Sequence, residues 1–321
     1  MPAVSRDYSE NRTISHRLHE LKEILRKDLI RNKTIYLLLL PSIIYYIVFH
    51  YYPMYGAQIA FKNFSPGKGI AGSPWVGFEH FKSFFNSYYV FRIIRNTLLI
   101  NIYDVIFGFP APIILAILLN EVKNSTFRRS VQTITYLPHF ISTVVLCGLI
   151  IDFTSREGLI NNIITMLGGE PIMFLSKPEW FRTIFIGSGI WQNVGWGSII
   201  YLAALSNIDP ELYEAARIDG ANKFKQIMHI TIPGILPTIV IMFILRMGRI
   251  MSVGQDKVLL LYNPATYETA DVISTFVYRK GLIDFNFSYA SAVGLFNSVI
   301  NFVLLILFNY LSRKLTDSGL W

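Results

Sequence analysis

Two arginines, Arg246 and Arg249, stand three positions apart within an otherwise apolar segment. Residues with this spacing share one face of a helix, so both guanidinium groups would point the same way. If the segment lies in a membrane, the pair requires a water-filled cavity or an acidic partner. The planar guanidinium suits a carboxylate, which makes the pair a candidate for recognising a uronate. The alternatives are a structural ion pair or an anchor at the outer interface.

A second polar group interrupts another apolar segment. The stretch "IWQNVGWGS" contains Trp191, Gln192, Asn193 and Trp196. A sugar ring has apolar faces and a polar rim, and indole rings beside amides offer partners for both. We therefore predict that these residues line a substrate path. The alternative is that they only pack and hydrogen-bond between helices. Weaker candidates of the same kind are Asn101, Asp104, Asn297 and Asn301.

The sequence contains no constellation that indicates an active site. We find no paired carboxylates, metal-ligand cluster or nucleophile with a base, and His139 stands alone in its apolar segment. The single cysteine, Cys147, excludes an intrachain disulfide. Gly67 and Lys68 are followed by Gly69 rather than Ser or Thr, so no phosphate-binding loop is present. We predict that the chain is not an enzyme and binds no metal or cofactor.

These residues lie in a chain with the composition of a membrane protein. Of its 321 residues, 52% are hydrophobic and 16% are charged. Since about 20 apolar residues cross the bilayer core, we predict one all-α polytopic domain, residues 34–321. Its six transmembrane helices are expected at 34–52, 96–119, 131–152, 183–206, 235–253 and 288–311. Pro110 and Pro112 are expected to break the second helix, and Pro138 to begin the third.

Basic residues indicate the orientation of these spans. The formal net charge is +8, and Lys and Arg are dense in residues 1–33 and in the connections 121–130 and 207–232. The positive-inside rule places these segments and both termini in the cytoplasm. The basic residues form no patch with interleaved aromatics, so we expect no nucleic-acid partner.

Residues 1–33 contain no cleavable signal peptide and are predicted to form a cytoplasmic amphipathic leader. Its apolar face consists of Ile14, Leu18, Leu21, Leu25 and Leu29. The leader is either a basic anchor at the membrane surface or a gate that contacts a partner subunit.

The connection at 207–233 carries strong signals for helix boundaries. Asp209 is a good N-cap, and Pro210 suits the first helical position. Gly220 can supply a left-handed stop, and Asn222 can cap a second short helix that Pro233 ends. The pattern predicts a helix, a hinge and a second helix across the membrane face, with small residues that let another surface approach closely. It is typical of a protein docking site.

This connection resembles a known family. Its residues Glu214-Ala215-Ala216, Gly220 and Ile230-Thr231-Ile232-Pro233 are similar to the EAA loop of permease subunits in bacterial ABC importers that depend on a binding protein. Ile232 replaces the usual Leu, a change of little volume. The resemblance implies the type I importer permease fold and a cytoplasmic coupling helix that docks on an ATPase. The coupling residues would be Glu214, Ala215, Ala216, Arg217, Asp219 and Gly220.

Softer motifs extend the resemblance to permeases for complex oligosaccharides. They are Asn96-Thr97, Leu137-Pro138, Ile141-Ser142 and "NFSYASAVGLF" at 286–296. The resemblance implies a multi-pass protein of the bacterial plasma (inner) membrane. Its partners would be two cytoplasmic ATPase subunits that use ATP and Mg, a second permease, usually a different sister chain, and an extracytoplasmic binding protein. The outer connections, with "KPEW" at 177–180 and a tyrosine-rich stretch at 262–281, would receive the binding protein.

Two questions about function stay open. The arginines favour an acidic oligosaccharide, pectin-derived or otherwise uronate-containing, but a neutral one is an alternative. The other function class is a secondary carrier for a sugar or another polar solute, driven by an ion gradient. Such a carrier needs an acidic site for its coupling ion, for which Asp104 is the main candidate within the spans.

Overall fold

The computed structural model describes Glu23, Lys27, Asp28 and residues 30–316, so the predicted leader lies almost wholly outside the described residues. The predicted all-α fold is confirmed, because the described part of the chain pairs extended backbone only in one isolated bridge, between Lys62 and Trp75. The described residues divide into two compact units, one that ends at Gln58 and one that begins at Ile59.

The helices are named here in chain order. They are α1 Lys33–Phe61, α2 Gly69–Gly72, α3 Glu79–Phe85, α4 Val90–Glu121, α5 Ser125–Phe140, α6 Thr143–Thr154, α7 Leu159–Met166, α8 Pro178–Leu205, α9 Pro210–Ile218, α10 Lys223–Met247, α11 Gln255–Leu261, α12 Tyr267–Ala270, α13 Ile273–Tyr278 and α14 Phe287–Thr316. Short 3₁₀ turns at Phe174–Ser176 and Pro264–Thr266 join the elements beside α8 and α12.

Four described helices, α1, α4, α10 and α14, are long and apolar enough to cross a membrane. A fifth candidate is a pair bent by 101°, which consists of α5 and the segment Thr143–Met166 that contains α6 and α7. The 28-residue α8 contains the predicted fourth span but carries Gln192 and Asn193 at its centre, which lowers its hydropathy. Length and hydropathy therefore do not confirm the predicted count of six.

The predicted third span at 131–152 is not one straight helix. Pro138 lies inside a 3₁₀ turn, Leu137–Phe140, that ends α5 rather than beginning a span. A new helix then starts in another direction, because the Ser142 hydroxyl accepts a hydrogen bond from the Val145 backbone N–H at 3.3 Å. The sequence signals for a turn outweigh the continuous hydropathy of this region.

Proline does not interrupt the backbone at two places where it was predicted to break a span or to end a helix. Pro110 and Pro112 lie within α4, and Pro233 lies within α10. In both helices a π-helical segment, Asp104–Gly108 or Ile227–Thr231, ends two positions before the first of these prolines. The wider i to i−5 bonding shifts the hydrogen-bond ladder just where proline lacks its N–H, so the helix continues.

Helix α8 organises the second unit, since it packs most extensively against α4 and also contacts α5. The approach to α5 is close at Gly195, where an added Cβ would lie 2.1 Å from the backbone oxygen of Thr135. Small residues at such crossings let two backbones approach within a membrane. One core cluster surrounds Ile186 and Val258, and another surrounds Tyr201 and Ile235.

A buried carboxylate fixes the region of α11–α13 to α4. Asp271 is fully buried and accepts two hydrogen bonds from Arg279, at 2.9 and 2.7 Å, and one from Arg92 at 3.2 Å. Asn96 of α4 donates to the backbone oxygens of Glu268 and Asp271. Burial alone would lower the pKa of Arg279, but its hydrogen bonds to Asp271 and Tyr262 raise the pKa above its ordinary value. This network joins α12, α13 and, through Tyr262, the end of α11 to α4.

Candidate functional site

The 207–233 loop folds as its boundary signals predict. The Asp209 carboxylate accepts from the Glu211 backbone N–H at 2.9 Å, and Pro210 begins α9. Gly220 has φ of +77°, and the Ala221 N–H reaches the Ala216 oxygen at 2.8 Å, which closes the helix with a Schellman motif. Asn222 then caps the start of α10 through the Lys225 N–H.

Pro233 was predicted to end a second short helix, but the helix continues past it. The segment that begins at Lys223 continues to Met247, because the π segment before Pro233 absorbs its missing donor. The hinge at Gly220 is therefore followed directly by the long helix α10. Because α10 is one continuous helix, a movement of α9 can be transmitted along α10 into the membrane interior.

Helix α9 and the start of α10 expose large apolar side chains. Leu212 is 52% exposed and Ile218 is 86% exposed, while Phe224 at the start of α10 is 72% exposed. The predicted coupling residues Glu214, Ala215, Arg217, Asp219 and Gly220 are also exposed, and Ala216 is half-buried. A helix that presents large apolar side chains outward beside small ones has the surface of a docking element.

One contact fixes α9 to the rest of the second unit, and another joins α10, the helix that follows it, to α4. The Tyr213 hydroxyl lies 3.0 Å from the Thr231 hydroxyl in the π segment of α10. Lys223, at the start of α10, pairs with Glu121 at the end of α4 at 2.5 Å. The exposed surface of α9 is therefore attached to α10, and α10 is attached to α4.

Inside the helix bundle two cavities adjoin each other. The Tyr201 cavity, of about 450 Å³, extends towards Tyr201 of α8 and Met242 of α10. The Lys257 cavity, of about 430 Å³, extends towards Lys257 of α11 and Ser252. Both are lined by Asp104, Gly189, Asn193, Arg246 and Arg249.

The two predicted arginines meet at the border of these cavities but differ in their surroundings. Arg246 forms an ion pair with Asp104 of the π segment in α4. Arg249 has no ion-pair partner among the described residues, and it lies in a turn, because the helix ends at Met247, before the end of the predicted span at 235–253. The structural ion pair foreseen as an alternative therefore applies to Arg246 alone. Asp104, the candidate acidic site of an ion-driven carrier, is already occupied by this arginine.

Lys257 is a third cation in the site, and the sequence analysis missed it. Its ammonium donates to the Phe185 backbone oxygen at 2.8 Å and lies 4.6 Å from the centre of that ring. Burial lowers the pKa of Lys257 to about 8, and the nearby Cys147 thiol opposes this shift. No acidic partner of Lys257 occurs within the described residues. Lys257 lies in the short helix α11, within a connection that was predicted to be on the outer face. Nothing in the local sequence indicated that its side chain would line a cavity.

The predicted substrate-path residues of α8 are divided between two environments. Asn193 lines both cavities, and Gln192 lines the Lys257 cavity while its amide donates to the Ile141 oxygen at 3.0 Å. Trp191 and Trp196 line neither cavity. Trp196 instead stacks on His139 at 4.6 Å between ring centres, and His139 lies 3.0 Å from the Asn193 amide oxygen.

The weaker candidates also separate. Asn101 and Asp104 line the Lys257 cavity. Asn301 joins α14 to the turn after α10, because it accepts from the Met251 N–H at 2.9 Å and donates to the Ser252 hydroxyl. Asn301 is thus a contact between helices, the alternative stated for it, and neither it nor Asn297 lines either cavity.

Comparison with protein families identifies a match over most of the chain. Residues 108–317 match a family model described as "Binding-protein-dependent transport system inner membrane component". Two proteins of Bacillus subtilis (strain 168) are also similar. Protein LplB is 45% identical over 91% of this chain and 92% of the relative. The polygalacturonan/rhamnogalacturonan transport system permease protein YteP is 43% identical over 94% of each chain.

Solved structures give the same result. A chain in the crystal structure of a bacterial ABC transporter involved in the import of the acidic polysaccharide alginate superposes with a TM-score of 0.85. It is 46% identical in sequence, and the match covers 91% of this chain and 99% of that one. A chain of the bacterial alginate transporter in complex with an alginate pentasaccharide-bound periplasmic protein has the same TM-score at 45% identity.

Proposed function

Because this chain belongs to the family of inner membrane components of binding-protein-dependent transport systems, we propose that it carries an acidic oligosaccharide through the membrane in an ATP-driven importer. The family membership makes it a transport permease. The acidic nature of the cargo is the proposed step, and it rests on the charges that line the two adjoining cavities.

The observation that carries the proposal is an excess of cations over carboxylates in the site. Arg246, Arg249 and Lys257 line the cavities, and Asp104 is the one acidic side chain among the lining residues. Arg249 and Lys257 are therefore left to bind anions brought in by a ligand. A uronate at each residue of an oligosaccharide provides these carboxylates, and an uncharged sugar would leave the two cations unpaired in a membrane.

The relatives support this choice. One relative is a permease for polygalacturonan and rhamnogalacturonan, and the similar structure belongs to an alginate importer. All three polymers contain uronates. The shared chemistry is a carboxylate on a pyranose ring, which the proposed site would bind through guanidinium and ammonium groups, with Asn193 and Gln192 beside the hydroxyl groups.

We infer the remaining parts of the transporter from the family resemblance. The 207–233 loop faces the cytoplasm together with both termini, and α9 docks on one of two ATPase subunits that bind ATP and Mg. A second permease, a different sister chain, completes the membrane part. An extracytoplasmic binding protein delivers the oligosaccharide from the side of α11. The exposed Leu212, Ile218 and Phe224 are the observation in favour of the ATPase contact.

The test uses the complete transporter in proteoliposomes with its binding protein. ATPase stimulation is compared for an oligogalacturonate and for its methyl ester, which has the same backbone without charge. We expect stimulation by the acid only, and Arg249→Gln should raise the half-saturating acid concentration about tenfold or more. Lys280→Gln is the matched control, since Lys280 pairs with Asp284 outside the cavities. Equal responses to acid and ester would contradict the proposal.

A further inference from the structure

The ion pair of Asp104 and Arg246 occupies an unusual place, at the border shared by the two cavities. The residues found only in the Lys257 cavity, such as Ile100 of α4 and Ser252 in the connection after α10, lie on one side of the pair along the chain. Those found only in the Tyr201 cavity, such as Pro112 and Met242, lie on the other side. A solute that passes from one cavity to the other along their shared residues would pass beside this ion pair.

The pair is built from two separate helices. Asp104 is the first residue of a π segment in α4, whose Phe109 N–H bonds back to the Asp104 oxygen at 2.8 Å. Gly108 makes room for the carboxylate, because an added Cβ there would lie 2.3 Å from Asp104 Oδ1. Arg246 comes from the last turn of α10. The contact therefore joins α4 to α10, the helix that follows α9 in the chain.

In this pair, the Asp104 carboxylate contacts Arg246 as the carboxylate of a substrate would. A guanidinium binds one carboxylate through its planar fork, so Asp104 and a uronate would compete for Arg246. Arg249 lines the same border and has no acidic partner, so it can hold the arriving uronate or the released Asp104. An uncharged sugar offers nothing in exchange for Asp104.

We propose that the Asp104–Arg246 ion pair is a gate between the two cavities, and that a carboxylate of the substrate opens it by replacing Asp104 on Arg246. Asp104 is thus a residue that sets specificity against neutral sugars. The inference rests on the proposed function, since it requires an acidic cargo. The gate goes beyond the proposed function because Asp104 competes with the substrate for Arg246, and a site made only of cations would contain no such competitor.

The test measures ATPase stimulation by the oligogalacturonate and its methyl ester in the complete transporter with its binding protein. Asp104→Asn removes the competitor at almost constant volume, so the half-saturating acid concentration should fall several-fold. Arg246→Gln should raise it about tenfold or more. The double variant, Asp104→Asn with Arg246→Gln, removes the gate but keeps Arg249 and Lys257, so the ester should gain a response while the acid still stimulates at lower concentrations.

Two control variants complete the set. Asp104→Glu retains the competing charge and should leave the acid concentration close to the wild-type value. Asp104→Ser removes the charge with a smaller side chain and replaces Asp104→Asn if that variant does not assemble. Both are purified as the complete transporter, so that assembly is measured before stimulation.

The outcomes separate the two proposals. If the wild-type transporter responds equally to acid and ester, the proposed function is wrong and the gate falls with it. If the wild type prefers the acid, but Asp104→Asn weakens the responses to both ligands alike, the pair is only a structural brace and the gate alone is overturned. A lower acid concentration for Asp104→Asn, together with a new ester response in the double variant, supports the gate.

Discussion

In the 207–233 loop, the hydrogen bonds that begin and end α9 join residues at most five positions apart, such as Asp209 with Glu211 and Ala216 with Ala221. In the cavities, Asp104 meets Arg246 across two helices, and Lys257 meets a backbone oxygen 72 positions earlier in the chain. The loop is a local device that presents an outer surface. The cavities exist only after the helices have packed, so the two regions should respond to different perturbations.

The sharpest separation of the two regions is expected at Gly220. Proline cannot adopt φ of +77° and has no N–H for the Arg217 oxygen, so Gly220→Pro should abolish stimulation of the ATPase by the oligosaccharide. Assembly in the membrane should persist, because no neighbouring atom lies within 4 Å of a Cβ at this position. Gly220→Asn is the control, since Asn tolerates the left-handed region, and it should retain most of the response.

The next effect tests the packing on which the cavities depend. Gly195→Ala would place a Cβ against the Thr135 backbone oxygen, and it should lower the free energy of unfolding by about 1–3 kcal/mol. Gly187→Ala in the same helix has nothing within 4 Å and should have little effect. Thermal unfolding of the purified transporter measures both. Equal melting temperatures for the two variants would contradict the close approach of α5 and α8.

A smaller effect should appear in the pH dependence of the cavity region alone. Lys257 is positively charged below its pKa of about 8 and loses this charge as the pH rises through that value. The half-saturating concentration of an acidic oligosaccharide should therefore increase several-fold from pH 7 to pH 9. Arg246, Arg249 and Asp104 share the cavity, and Cys147 faces Lys257 from α6.

Lys257→Arg is the control for this pH dependence, since a guanidinium stays protonated throughout the range. The variant should lose the increase. Cys147→Ala should retain it, because the thiol only modifies the titration of the lysine. A pH profile that is identical in the wild type and Lys257→Arg would assign the change to another group, such as one in the binding protein.

The smallest effect is expected at the N-cap of α9. Asp209→Ala leaves the Glu211 N–H without its side-chain acceptor and should destabilise this helix by about 0.5–2 kcal/mol. Hydrogen exchange of residues 210–218 should become faster, while exchange in α8 stays unchanged. Asp209→Ser keeps a capping oxygen and should restore slow exchange. Faster exchange in α8 as well would mean that the loop is not the local device described above.

The extent to which the sequence predicted each region follows from the same difference. Asp209, Pro210, Gly220 and Asn222 act on their own neighbours, so their types and spacing were sufficient to place α9. The family resemblance through Glu214-Ala215-Ala216 and Gly220 is confirmed by the match over residues 108–317. The role of the loop in coupling stays a prediction.

The cavity could be predicted only in part. Polar side chains are costly within a membrane, and this argument correctly predicted that Arg246 and Asn193 line the cavities. The aromatic pattern predicted the same for Trp191 and Trp196, which line neither cavity. Nothing in the local sequence states which face of α8 meets α4. Lys257 was missed because its burial results from the packing of α11 against α6 and α13, which the residues around Lys257 do not indicate.

The π segments have a consequence for how this chain is compared with its relatives. A π segment is equivalent to an α-helix with one inserted residue, and one residue turns a helix by roughly 100°. A single-residue gap in an alignment at Asp104–Gly108 or Ile227–Thr231 would therefore mark the gain or loss of a bulge, and no loop would be needed to absorb it. Downstream of such a gap, equal alignment columns would face different neighbours, so the cargo-facing positions of a relative have to be counted again from that point.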